Sequence, residues 1–193
     1  MSDPTPTLAR GLAFALAAHG AQTRKGTEIP YVSHLLQVSG LVLEYGGDMI
    51  QATAALLHDV VEDTPATLAE VTAAFGAEVA AIVADCTDTQ GDEAPTHKRP
   101  WLERKQGYVA RLAEVPHRSA LVVGCDKLHN MRTLVTSLEN EGPGVLARFN
   151  APPVQQRWLH AALLAALRGK LPEALYHELQ GLTGRYAGLT AAT

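Results

Sequence analysis

The sequence predicts an all-α protein, a helical bundle of about nine to ten helices in a single domain spanning 1–193. Three observations carry that expectation. Apolar residues recur at helical spacing along most of the chain, and strand-like alternation is nowhere sustained. Aromatics make up 5% of the 193 residues while alanine is abundant, a balance that favours closely packed helices over sheets. Glycine, proline and capping residues punctuate the periodic stretches at helix-length intervals.

TLARGLAFALAAHGAQ reads as the first helix, broken by the glycine and by RKGTEIP. PYVSHLLQVSGLVLEY is the second, with Gly46 and Gly47 as its stop. DMIQATAALLHDVVED reads as one continuous third helix. Thr64 is expected to cap a fourth, with Pro65 in its first turn and Gly76 at its end. AEVAAIVADCTDT continues as a fifth, and TQGDEAPTHKRP (89–100) is the longest plausible loop. WLERKQGYVARLAE is a sixth helix, and HRSALVVGCDKLHNMRTLVTSLE is a long seventh, apolar in its first half. After the turn ENEGPG, PPVQQRWLHAALLAALRG and PEALYHELQGLTGRY supply the C-terminal helices within 151–188.

The bulk numbers bound the function. Hydrophobic residues at 47% and charged ones at 19% describe a globular chain that buries a core. A formal charge of −4 argues against a general nucleic-acid binder but leaves room for a local basic pocket. No apolar run is long enough to span a membrane, and MSDPTPTLAR lacks the features of a signal peptide, so the cytoplasm is expected. Cys86 and Cys125 form no metal-binding pattern and read as core thiols. The oligomeric state is not encoded in any pattern of this kind.

The chemistry concentrates in LLHDVVEDT (56–64), where His58, Asp59, Glu62 and Asp63 interrupt an apolar stretch. On a continuous helix these four project within an arc of roughly 140°. Three carboxylates and an imidazole repel or desolvate one another at a cost of several kcal/mol each unless a cation joins them. The competing explanation is an exposed acidic helix end, which the flanking Leu56, Leu57, Val60 and Val61 disfavour. Adjacent helix residues diverge, so further ligands must come from elsewhere.

His34 lies among apolar neighbours, a place where a lone histidine is more often core than ligand. Asp126 follows six largely apolar residues, where an unpaired charge is costly. For Asp126 the alternative is a buried Asp–Arg pair. Two imidazoles and two carboxylates without thiolate suit manganese, iron or zinc better than magnesium or a closed structural zinc site, and point to catalysis. Glu62 and Asp63 are then free to orient or deprotonate the attacking water.

AHGAQTRKG, PYVSH, HDVVEDT and CDKLHNMRT, in this order and spacing, closely resemble the HD-domain hydrolases of the RelA/SpoT alarmone family. The resemblance spans roughly residues 14–134 and implies a stand-alone small alarmone hydrolase of the Mesh-like type. It implies an HD-domain bundle in which His34, His58, Asp59 and Asp126 hold manganese, while Glu62 and Asp63 activate water. It further implies that Arg24, Lys25 and Asn130 contact a small-molecule nucleotide. The reaction it implies is removal of pyrophosphate from the 3′ position of guanosine tetra- or pentaphosphate.

Two departures stand out: Leu35 replaces a proline usual in the family, and Trp101 stands near a position that is basic in some relatives. The same site would also suit adenine alarmones or the 2′-phosphate of NADPH. A non-catalytic nucleotide sensor would be expected to carry a broken HD or ED pair, and both are intact. Lys98, Arg99, Arg104 and Lys105 could line the pocket, but a solvated helix face is the commoner explanation. His19 reads as a helix-end residue and Tyr31 as core packing. His97, His117, His129, His160 and His177 read as surface or packing residues.

Overall fold

A computed structural model describes residues 5–88 and 100–191. Of the expected loop at 89–100, residues 89–99, with His97, Lys98 and Arg99, lie outside the described residues. Ten α-helices and one 3-10 helix are described, and among these residues the only extended pairing is an isolated bridge between Thr23 and Pro30. No described helix is long and apolar enough to cross a membrane.

The central element is α3 (Met49–Leu57), buried over its whole length from Gln51 onward. Alanines at 52, 54 and 55 let neighbours approach closely, and α1 (Thr5–His19), α2 (Val32–Glu44), α6 (Ala77–Cys86) and α8 (His117–Glu141) all pack against it. Its start is fixed by a capping box. The Asp48 carboxylate accepts from the Gln51 N–H at 2.9 Å, while Gln51 Oε1 accepts from the Asp48 N–H at 3.1 Å.

The third expected helix is not continuous. His58 turns its ring Nδ1 back onto the Ala55 carbonyl at 2.8 Å, and Asp59 adopts φ −100°, ψ −4°. The bond to Ala55 and the sparsely populated backbone at Asp59 end α3 and start the single turn α4 (Val60–Asp63). Asp59 and Glu62 are therefore aimed by a bend rather than by one helical face.

The expected cap at Thr64 is also displaced. Pro65 excludes the helical conformation from the residue before it, and Thr64 is extended at φ −131°, ψ 169°. The hydroxyl of Thr64 closes α4 by donating to the Val60 carbonyl at 2.7 Å. The cap of α5 (Leu68–Phe75) is Thr67, in a capping box with Glu70.

Helix α7 (Trp101–Leu112) lies against α9 (Pro153–Ala166), and α10 (Glu173–Leu189) covers α8. At about 1.5 Å per residue α8 is roughly 37 Å long and spans the molecule. Gly124 lets α8 approach the turn before α10, since a Cβ there would sit 2.7 Å from Leu171 Cδ2. The expected turn ENEGPG narrows to Gly142: its first three residues finish α8 and its last two open a 3-10 helix, Pro143–Arg148, which lies against α8.

Candidate active site

Three elements bring the polar residues together. His34 sits in the first turn of α2, His58 at the end of α3, and Asp126 in the middle of α8; all three are buried. One ligand atom from each lies within 4.8 Å of the others. His34 Nε2 faces His58 Nε2 at 3.4 Å and Asp126 Oδ1 at 3.2 Å. Asp59 Oδ2 is 2.9 Å from His58 Nε2 and 3.6 Å from His34 Nε2. The four residues named from the sequence thus converge on one point.

The donor chemistry fits a divalent cation. Burial opposes charge on Asp59, but His58 and His34 beside it hold its carboxyl well below the usual range. Burial likewise opposes Asp126, whose carboxyl is held well below that range by Lys127 and the two imidazoles. Burial alone would pull the His58 imidazolium down; Asp59 and Asp126 outweigh it and raise it well above its ordinary value. Two ionised carboxylates facing two imidazole nitrogens make a cation-seeking, thiolate-free set. Cys86 lies close by, but burial and Asp126 push its thiol well above the normal range, so it stays neutral.

Hydrogen bonds fix how the ligand atoms point. The Ala55 carbonyl only accepts, so His58 carries its proton on Nδ1 and presents Nε2 to the site. Tyr31 donates its hydroxyl to Asp59 Oδ2 at 2.5 Å. Lys127 pairs with Asp126 Oδ2 at 2.6 Å, and Asn130 donates to Asp126 Oδ1 at 2.6 Å. The buried pair considered for Asp126 is therefore made with lysine, and Arg132 pairs with Glu178 instead.

Glu62 and Asp63 sit one turn beyond Asp59 and line a pocket of 190 Å³ with it. Glu62 accepts from the Asp88 backbone N–H at 3.2 Å. Burial and the Asp88 carboxylate push Glu62 up to about 7, against the opposing pull of Lys105. Asp88 itself takes ion pairs from Lys105 and, at 3.1 Å, from Arg104, and its side chain is 3% exposed. Arg104 and Lys105 are thus built into the site rather than solvated. Asp63 is more exposed and accepts from Gln22 Nε2 at 3.1 Å, while Gln22 also meets His19 Nδ1 at 2.8 Å.

The pocket shares Tyr31, Asp63, Lys105, Tyr108, Lys127 and Asn130 with a larger cavity of 790 Å³. Arg24 and Lys25 line that cavity. Arg24 donates to Asn130 Oδ1 at 2.6 Å, joining the cavity to Asp126 through one side chain. Lys25 lies over the Phe149 ring at 5.8 Å and reaches Asn150 at 3.5 Å. A cavity of this size, cationic beside the acidic pocket and apolar around Val145, Leu159 and Leu163, has room for a nucleotide.

Four functional neighbours escaped the sequence reading. Tyr31 is a hydrogen-bond donor to Asp59 in addition to packing on His19. His129 is buried, with its Nδ1 2.7 Å from His34 Nδ1, so it is neither surface residue nor plain filling. Lys127 follows Asp126 directly and was readable as its counter-ion. Asp88 carried no local signal, because its contact with Glu62 joins the end of α6 to α4 across 26 positions.

The chain has counterparts among known proteins. The human guanosine-3′,5′-bis(diphosphate) 3′-pyrophosphohydrolase MESH1 is 37% identical over 140 residues, covering 69% of this chain and 73% of that protein. A probable guanosine-3′,5′-bis(diphosphate) 3′-pyrophosphohydrolase from Synechocystis is 35% identical over 132 residues, covering 68% of this chain. Against that longer relative, the match spans only 17% of its length. A solved metazoan SpoT orthologue, described as hydrolysing ppGpp, superposes with a TM-score of 0.74 at 28% identity, covering 94% of this chain and 96% of that one. Residues 11–151 match the HD domain, and the chain belongs to the HD-domain family as a homologue of the MESH1 proteins.

Proposed function

We propose that the chain is a metal-dependent hydrolase that removes the 3′-pyrophosphate of guanosine tetra- or pentaphosphate, with manganese as the metal. One juxtaposition carries the reading: the His34, His58, Asp59 and Asp126 donors and Glu62 adjoin a cavity large enough for a nucleotide. The names of the MESH1 relatives support the substrate. These four residues would hold the cation, which when bound supplies positive charge to the phosphoryl oxygens and acidifies water.

The remaining steps belong to the protein. Glu62 takes the proton of the attacking water, and its carboxyl near 7 is matched to that task. Asp63, steadied by Gln22, orients the same water. The water oxygen bonds to the phosphorus on the 3′-oxygen, that P–O bond breaks, and the ribose 3′-oxygen regains a proton. Pyrophosphate leaves, and GDP or GTP remains. Arg24, Lys25 and Asn130 hold the nucleotide, with the planar Arg24 guanidinium over the Tyr31 ring at 5.5 Å.

The test is incubation of pure protein and Mn²⁺ with ppGpp, ppApp and NADPH in parallel, followed by separation of products. GDP and pyrophosphate from ppGpp are expected. Intact ppGpp beside an active control enzyme would overturn the substrate. A specificity constant more than about tenfold higher for ppApp or NADPH would transfer the assignment to that nucleotide.

A further inference from the structure

We propose that His129 is a positioning residue that fixes the tautomer of His34: it accepts from His34 Nδ1–H and so leaves the Nε2 lone pair for the cation. The two Nδ1 atoms lie 2.7 Å apart, so one of them carries the proton and the other accepts it. His34 Nε2 points at His58 Nε2 and the Asp126 carboxylate, which is where a cation would sit. A nitrogen that binds a cation carries no proton. The remaining proton of His34 is then on Nδ1, and His129 is its acceptor.

His58 is oriented in the same way by a different partner, the Ala55 carbonyl. Both histidines of the site thus point a ring nitrogen at a fixed acceptor behind them, an arrangement that orients a ligand ring and raises its basicity. For His34 an imidazole from α8, rather than a backbone carbonyl, fills that role among the described residues. As acceptor, His129 carries its own proton on Nε2, which is buried and has no hydrogen-bond partner among the described residues. Among the described residues, no donor bonds to this nitrogen to favour the other tautomer. Asp126 and His129 lie one turn apart, so α8 supplies one ligand directly and the support of another on α2.

The inference rests on the divalent-cation reading of the site and not on the choice of nucleotide. Nitrogen-15 spectra of the Zn²⁺-loaded full chain, zinc being a diamagnetic stand-in, read the tautomers without any substitution. His34 protonated on Nδ1 and His129 on Nε2 is the expected result; a proton on His129 Nδ1 would overturn the proposal. In calorimetric titration with Mn²⁺, His129→Phe should bind about 10- to 100-fold more weakly. His129→Asn, whose Oδ1 can stand near the place of Nδ1, should recover most of the loss, with helical circular dichroism unchanged in both. Wild-type affinity in His129→Phe sinks the role of His129 while leaving the metal reading intact. Failure of the unaltered chain to take up either metal removes that reading, and this inference with it.

Discussion

At the scale of single residues, the proposed mechanism separates holding a cation from moving a proton. Asp59 Oδ2 lies against both histidine nitrogens, whereas Glu62 faces the pocket from one turn further on. Asp59→Ala should therefore lose both metal and turnover, while Glu62→Gln should keep its metal and lose turnover by about 10²- to 10⁴-fold. Metal analysis of the purified variants checks this, and full occupancy in Asp59→Ala would contradict the ligand assignment. The protonation of Glu62 gives a second expectation. Burial and Asp88 raise it to about 7, Asp59 at the start of α4 pushes the same way, and Lys105 pulls it down. The active form is the carboxylate, so kcat/KM should rise with pH up to about 7 or slightly below, a bound cation pulling in the same direction as Lys105. Lys105→Met removes one downward pull and should move that rise to higher pH. A profile left in place would detach Lys105 from the base.

At the scale of elements, close helix approach decides where the ligands stand. Gly124 precedes Asp126 by two positions, and a Cβ there would meet Leu171 Cδ2 at 2.7 Å and Leu175 Cδ2 at 3.2 Å. Gly124→Val should destabilise by about 1–3 kcal/mol through overpacking. In a thermal melt each kcal/mol would lower Tm by about 2–4 °C for a chain of this size; an unchanged melt would show that α10 yields freely. How much of this was legible depends on the range of the interaction. The apolar periodicity of α2, α3 and α8 and the polar interruption at His58 to Asp63 are local, so the all-α class and the suspect residues could be read from the chain. His34 and Asp126 gained weight from ordered motifs rather than from periodicity. The bend after α3 was missed because a side chain bonds to the backbone there, and the displaced cap because the constraint of Pro65 acts on Thr64 before it. His129 and Asp88 were not legible at all. Their partners lie 95 and 26 positions away and meet them only through tertiary packing.

At the scale of the molecule, the candidate ligands tie three packed elements to one point: α2 through His34, the α3–α4 bend through His58 and Asp59, and α8 through Asp126. Without a cation, the two carboxylates are balanced by Lys127, Tyr31, Asn130, His34 and a proton shared with His58. A cation that binds the folded chain and not the unfolded one stabilises it by mass action, by about 2.7 kcal/mol at 100 times its dissociation constant. With about 2–4 °C per kcal/mol, saturating Mn²⁺ should raise Tm by roughly 5–11 °C, and a chelator should reverse the shift. Asp126→Asn should lose most of this shift, because it removes the carboxylate charge from the element that spans the whole bundle. Glu62→Gln should retain it, since the proposed ligand set does not include Glu62. Differential scanning fluorimetry of the three proteins with Mn²⁺, with Mg²⁺ and with chelator separates these outcomes. An equal rise in the wild type and in Asp126→Asn would place the cation elsewhere on the molecule. A rise with Mg²⁺ as large as with Mn²⁺ would remove the preference that two imidazole donors should impose.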